Sequence, residues 1–405
     1  MNYSYSPKDF KLAETFTSVV LGIDQYYQSL DMDTSGEESF SKEGIVPVNL
    51  TDVEPDNIKS WDEALNKLEK VYCGYLYEEN ESRRAYMLQQ IDSVVKLTCW
   101  LSGKKMQYRQ LVRELLYVNE NPVPLEVMDS LIAKLGDMLG ERGYEGTVEQ
   151  KLIKWKKNRS VEKNKVEEIA DSLLNEAKNR TLELGFKEIA DQSMKTVIVH
   201  DVPYQAYCDF KAGKVYINGD ICHTYDSLKH LAIHEAFPGH TTHLAVRQKL
   251  VMEKAVPCDA GLVITNTASS PIFEGIGDNG GKFLNWCNTE DDKINELFQK
   301  ISSITAMNSA HMINGEKKDR QEVIDYMKQF TFAEDEWVES RLRFITHPFR
   351  APFIYSYWRG NEAVGNIWSL VPEGLRDNFI KYLYYNMQSI DSLEYFLNAC
   401  NGGNY

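Results

Sequence analysis

His234-Glu235-Ala236-Phe237-Pro238-Gly239-His240 decides how this chain is read. In an HExxH helix, two histidines four residues apart share one face and hold one Zn²⁺, with the glutamate between them as general base. Here the fourth position after His234 is Pro238, and the next histidine is the sixth. Six residues turn an ideal helix by roughly 600° and advance it about 9 Å, which leaves the two rings about 120° apart. Either the helix is distorted at Pro238-Gly239, or the histidines do not share a metal. Proline removes a backbone donor and glycine frees the chain to recover, so a bulge there would swing His240 back toward His234.

Working outward, other histidines compete for the role. His230 lies four residues before His234, and His243 three after His240. In a His230–His234 pair, Glu235 would follow both ligands instead of separating them. His200, His223 and His311 have no motif around them and read as structural. A catalytic zinc centre needs a third protein ligand and an open position for water. The best candidate is Glu274, in Pro271-Ile272-Phe273-Glu274-Gly275, 40 residues after His234. The competing reading of Glu274 is a helix-entry residue favoured by the macrodipole. For an oxyanion donor or substrate contact, the stretch Arg350-Ala351-Pro352-Phe353-Ile354-Tyr355-Ser356-Tyr357-Trp358-Arg359 offers Tyr357 first, then Tyr355, Arg350 and Arg359, with His347 just before it. The alternative there is an aromatic helix face packed in the core.

Composition narrows the class. The chain has 405 residues, 43% hydrophobic and 26% charged, with a net charge of −15. That charge argues against nucleic-acid and anionic-membrane partners. The first residues show no secretion leader, and no apolar run reaches the length of a membrane span. Seven scattered cysteines, none in a CxxC pair, read as reduced thiols, and together these features predict a cytoplasmic protein.

Helical periodicity runs through residues 8–29, 58–78, 80–101, 105–118 and 124–140, and again through 291–308, 319–330, 333–345, 353–370 and 373–398. Residues 147–184 form a charged amphipathic stretch with a solvated face. The polar gap from Asp31 to Ser60 reads as a surface loop or cover. Between the helical halves, Lys195 to His200 is β-branched, and Ala206 to Asn218 alternates around Gly213 like a hairpin. The expected fold is therefore mainly α with a small β-sheet placed just before the motif helix. A helical region 1–190 followed by a catalytic region 191–405, or one continuous domain, fits this order.

The motif, Phe273-Glu274-Gly275, and Pro352…Tyr357…Gly360 together resemble the domain-of-unknown-function 885 family, helical proteins with an HExxPGH motif. That resemblance covers about residues 190–365. It implies a gluzincin-like metallopeptidase fold with a deep cleft, with His234, His240 and Glu274 as zinc ligands and Glu235 as base. It also implies Tyr357 as oxyanion donor, and Lys214-Val215-Tyr216-Ile217-Asn218 as an edge strand on which a peptide lies through Tyr216 and Asn218. His243, where the family has Gln, becomes a substrate contact. The chain departs from the family at Gly275-Ile276-Gly277-Asp278, which lacks the family's tryptophan, and at Pro352-Phe353-Ile354.

Other motifs lead nowhere. Gly275-Ile276-Gly277-Asp278-Asn279-Gly280 matches GxGxxG but has no βαβ pattern around it, and no GxSxG or ExxH is present. The expectation is a zinc-dependent peptidase of short peptides. The alternatives are an inactive metal- or peptide-binding relative and a metal-dependent hydrolase of another amide or ester.

Overall fold

A computed structural model describes residues 5–30 and 44–401. The protein is mainly helical with small sheets, as the periodicity predicts. It forms two compact units, and neither is one continuous segment. The first comprises residues 1–120, 243–275 and 359–405; the second comprises 121–242 and 276–358.

In the first unit, α1 (Pro7–Ser29), α2 (Trp61–Tyr75), α3 (Glu81–Leu101) and α4 (Tyr108–Leu116) pack consecutively. Their starts are written in the sequence. Ser6 caps α1 in a reciprocal box with Asp9, with Pro7 opening the helix. Their apolar stripes meet through Phe16, Val20, Leu68, Val71, Ile91 and Val94, all buried. Of the gap expected to be a loop, residues 31–43 lie outside the described residues. From Gly44 onward it is tied down. Asp24 Oδ1 accepts from the Ile45 amide at 2.6 Å, and β1 (Val48–Asn49) pairs antiparallel with Leu262–Val263.

The second unit contains α5 (Leu125–Glu141), α6 (Val148–Arg159), α7 (Val166–Glu183) and the three-stranded sheet β2 (Lys195–Val199), β3 (Ala206–Asp209) and β4 (Lys214–Asn218). The amphipathic stretch 147–184 is thus two helices, broken where Ser160 bridges to Thr224. α7 packs against β2, against α8 (Tyr225–Leu231) and against the motif turn. Elements on both sides of residue 190 therefore belong to one body, and the unit boundaries fall elsewhere.

The sheet order is β2–β4–β3. This corrects the expectation that Lys214–Asn218 is an edge strand. β4 pairs in parallel with β2 and antiparallel with β3, so both its sides are spent. The hairpin read at Gly213 is present, but β2 adds to its far side, which burial of Val215 and Ile217 on one face favours. β3 is the edge beside the motif: it packs against the motif turn, and Cys208 Sγ lies 3.4 Å from Thr241 Oγ1.

The largest departure from periodicity is α10 (Ser270–Phe283), a helix carrying Gly275, Gly277, Gly280 and Gly281. Each glycine costs a helix interior about 1 kcal/mol relative to alanine. Close packing requires them here. A Cβ on Gly275 would stand 2.3 Å from the Gly360 carbonyl oxygen, and one on Gly280 2.7 Å from Ile233. The GxGxxG pattern lies inside this helix, its glycines admitting close neighbours on more than one side. The stretch 373–398 is likewise split, into Arg376–Tyr385 and Glu394–Asn401.

Candidate metal centre

The backbone around the motif is not one helix. α8 ends at Leu231, and residues Ala232–Ala236 form a single π-helical turn closed by Phe237 N–H donating to the Ala232 carbonyl at 3.1 Å. Phe237 is extended, and the Phe237–Pro238 peptide is cis. A new helix, α9 (His240–Met252), then begins. Distortion at Pro238-Gly239, required if the histidines are to meet, is present, but as a break between two helices instead of a bulge in one.

The break is closed by its own residues. Gly239 N–H donates to the Ile233 carbonyl at 2.9 Å. Thr241 and Thr242 hydroxyls donate to the Glu235 and Ala236 carbonyls at 3.2 and 3.4 Å, taking up acceptors that the ending helix releases. A Cβ on Gly239 would lie 1.8 Å from the His234 carbonyl oxygen, so only glycine allows so close a return.

This path folds the six-residue spacing back on itself. The His234 and His240 rings lie edge to face with centroids 4.8 Å apart. His234 Nδ1 lies 2.8 Å from Asp278 Oδ1, and an ionised carboxylate only accepts, so Nδ1 carries a proton, and in the neutral ring Nε2 then offers the lone pair. Glu274 stands one turn before Asp278 on α10, which runs unbroken through both. Ligand-capable atoms of His234, His240 and Glu274 all lie within 4.8 Å of one another. Gly277 completes the cradle: a Cβ there would meet the His234 ring at 2.8 Å.

A second group, His230, His234 and Asp278, meets the same distance criterion. Two ligands on one tetrahedral zinc stand about 3.3 Å apart. The 2.8 Å separation of His234 and Asp278 is that of a hydrogen bond instead. Asp278 thus serves better as the carboxylate that fixes a histidine's tautomer and aim. Burial pushes the Asp278 carboxyl up. The hydrogen bond from His234 is the first of the effects that outweigh it and hold it below the usual carboxylate value. Burial pushes His230 down to about 4. Two imidazoles, one carboxylate and a carboxylate behind the first imidazole form a donor set suited to Zn²⁺.

Asp278 was missed in the sequence, although Glu274-x-x-x-Asp278 is a one-turn spacing. The glycines around it hid the helix that gives the spacing meaning. Replacing Asp278 with Asn is expected to weaken zinc binding roughly 10- to 100-fold, measured by competition with a chromophoric chelator.

The remaining expected residues lie as follows. Glu235 is 8% exposed inside the π turn. Tyr357 is half-buried beside Phe344 and Phe353, at centroid distances of 6.4 and 5.7 Å. Tyr355 is fully buried, its hydroxyl 3.1 Å from His311 Nδ1. Asn218 gives its amide to the Val202 and Tyr204 carbonyls, and Tyr216 stacks on Tyr207 across the β3–β4 pair. Arg359 donates to the Asn119 carbonyl and to Glu362, and Arg350 lies near the Phe353 ring. His347 is buried just past the helix Asp335–Thr346. His243 is buried between Phe273 and Tyr384.

No family model matches the chain. No curated protein matches it either. Among solved structures it is similar to the "putative lipoprotein" from Colwellia psychrerythraea, with a TM-score of 0.53 and 13% identity over 98% of this chain and 77% of that one. It is also similar to a "putative lipoprotein of unknown function" from Shewanella oneidensis, with a TM-score of 0.46 and 14% identity over 96% of this chain and 73% of that one. At 13% identity, the first of these likenesses speaks to the fold alone.

Proposed function

We propose that the protein is a zinc-dependent peptidase of gluzincin type that hydrolyses short peptides. One observation carries the reading: a six-residue spacing that a straight helix would spread apart brings the His234 and His240 rings to 4.8 Å. A bound Zn²⁺ supplies Lewis-acid polarisation of a carbonyl and lowers the pKa of a coordinated water toward about 7. His234, held in its tautomer by Asp278, would present Nε2, with His240 and Glu274 as its fellow ligands. Glu235 would take a proton from the attacking water and return it to the leaving nitrogen. Tyr357 would donate to the developing oxyanion. β3, an outer strand of the sheet, would pair with an extended peptide, the role expected of β4.

The resemblance to HExxPGH proteins rests on the motif itself. Seven thiols without disulfides favour the cytoplasm, which cell fractionation tests. The experiment for the activity is metal analysis of the purified chain beside assays on short peptides and small amides. One zinc per chain with peptide turnover is expected. Absence of stoichiometric zinc would sink the proposal, zinc without turnover would favour a binding protein, and turnover of amides alone would favour another hydrolase.

A further inference from the structure

His230 sits in the last turn of α8, and its ring centroid lies 5.7 Å from that of His234. His230 Nε2 stands 3.7 Å from Asp278 Oδ1. The same carboxylate oxygen takes the 2.8 Å hydrogen bond from His234 Nδ1. Ligand-capable atoms of His230, His234 and Asp278 all lie within 4.8 Å of one another, and all three residues belong to the second unit. This group meets on the Nδ1 side of the His234 ring, whereas the set with His240 and Glu274 would use Nε2.

The present spacing is set by a proton. Tetrahedral zinc holds its ligands about 3.3 Å apart, so one distance to Oδ1 is about half an ångström short and the other is long by about as much. Moving the Asp278 carboxylate that far toward His230 evens them out once the Nδ1 proton leaves. Two imidazoles and a carboxylate, with a fourth position left to water, are a zinc-binding donor set. The His230 side chain is 25% exposed and that of Asp278 10%, which gives an ion a way in from solvent.

We propose that His230, His234 Nδ1 and Asp278 hold a second Zn²⁺ ion, bound at excess metal, and that filling this site inhibits peptide turnover. The inhibition rests on the peptidase reading; the metal site does not. The ion takes the Nδ1 lone pair as the Nδ1 proton passes to solvent, so binding is weaker than at the first set. With zinc also on Nε2, the His234 ring bridges two ions as imidazolate. A more strongly donating ring makes the first ion a weaker Lewis acid, and Asp278 no longer aims the ring at it.

The test is zinc titration of the metal-free full chain at pH 8, where free imidazoles are uncharged, by calorimetry in two buffers of different protonation enthalpy. Two equivalents are expected, the second roughly tenfold or more weaker and releasing about one proton. His230→Gln should bind one equivalent. Turnover should rise across the first equivalent and fall roughly tenfold or more across the second, and His230→Gln should abolish the fall. One equivalent in the parent chain, two in His230→Gln, or a second equivalent that releases no proton would overturn the site. Inhibition that persists in His230→Gln would overturn the regulation. A chain without turnover at any zinc level fails the peptidase reading and takes the inhibition with it, while the zinc counts still decide the site. If His230→Gln does not fold, the proton count on the unmodified chain decides.

Discussion

Glu235→Gln is expected to lower kcat/KM on short peptides by roughly 10²–10⁴-fold while leaving one zinc per chain. The amide has nearly the shape of the carboxylate, so the π turn at Ala232–Ala236 has no steric reason to change. What changes is proton affinity. Glutamine neither accepts the proton of the attacking water nor delivers one to the leaving nitrogen. Glu235 is 8% exposed, and its backbone carbonyl is already held by Thr241, so its side chain is placed by a backbone that the substitution does not touch. The two measurements separate two failures. Hydrolysis retained at the parental rate would remove Glu235 from the mechanism. Zinc lost together with activity would show that Glu235 supports the metal site itself, and the base assignment would fall.

The sequence was most readable where local chemistry and packing agree. Helices such as α1 and α11 (Glu290–Ala310) start at reciprocal capping boxes, Ser6 with Asp9 and Thr289 with Asp292, and their ends came out within a few residues. The motif was legible as a geometric demand: two histidines six apart with Pro238-Gly239 between them must leave the helix if they are to meet. How they leave it was not, because a π turn followed by a chain break is settled by non-local contacts. Gly280 admitting Ile233 is one, and Gly277 admitting the His234 ring is another.

The misses share a cause. Glycine in α10 reads as a loop or phosphate signal, since its propensity counts against a helix; what selects it is the closeness of neighbouring backbones and rings, invisible in one dimension. Asp278 disappeared with that helix. Lys214–Asn218 reads as an edge because strand order is set by which strand adds to a hairpin, and β2 arrives from 15 residues before the strand it joins, counting Val199 to Lys214. Asn218 and Tyr355 are polar residues whose hydrogen bonds end inside the protein, with the Val202 and Tyr204 carbonyls and with His311. A polar residue near a motif reads the same in sequence whether it faces a substrate or a carbonyl.

Gly239→Ala should do more damage than any ligand substitution, because it attacks the path that brings the ligands together. The added methyl would stand 1.8 Å from the His234 carbonyl oxygen and 2.5 Å from that of Ile233. Both are backbone atoms, so no side-chain rotation relieves the clash. Relief requires breaking the Gly239–Ile233 hydrogen bond and reopening the turn, which carries His240 away from His234. Overpacking alone costs about 1–3 kcal/mol, and the lost bond roughly another 1. The expected result is a fall in unfolding stability of about 3 kcal/mol in urea melts, with loss of bound zinc. Gly374→Ala supplies the reference, since nothing lies within 4 Å of a Cβ there, and its effect should stay within about 0.5 kcal/mol. Asp278→Asn supplies the contrast, weakening zinc while leaving the fold. A Gly239→Ala protein with parental stability and full zinc would mean that the histidines do not depend on this turn, and the shared-metal geometry would have to be abandoned.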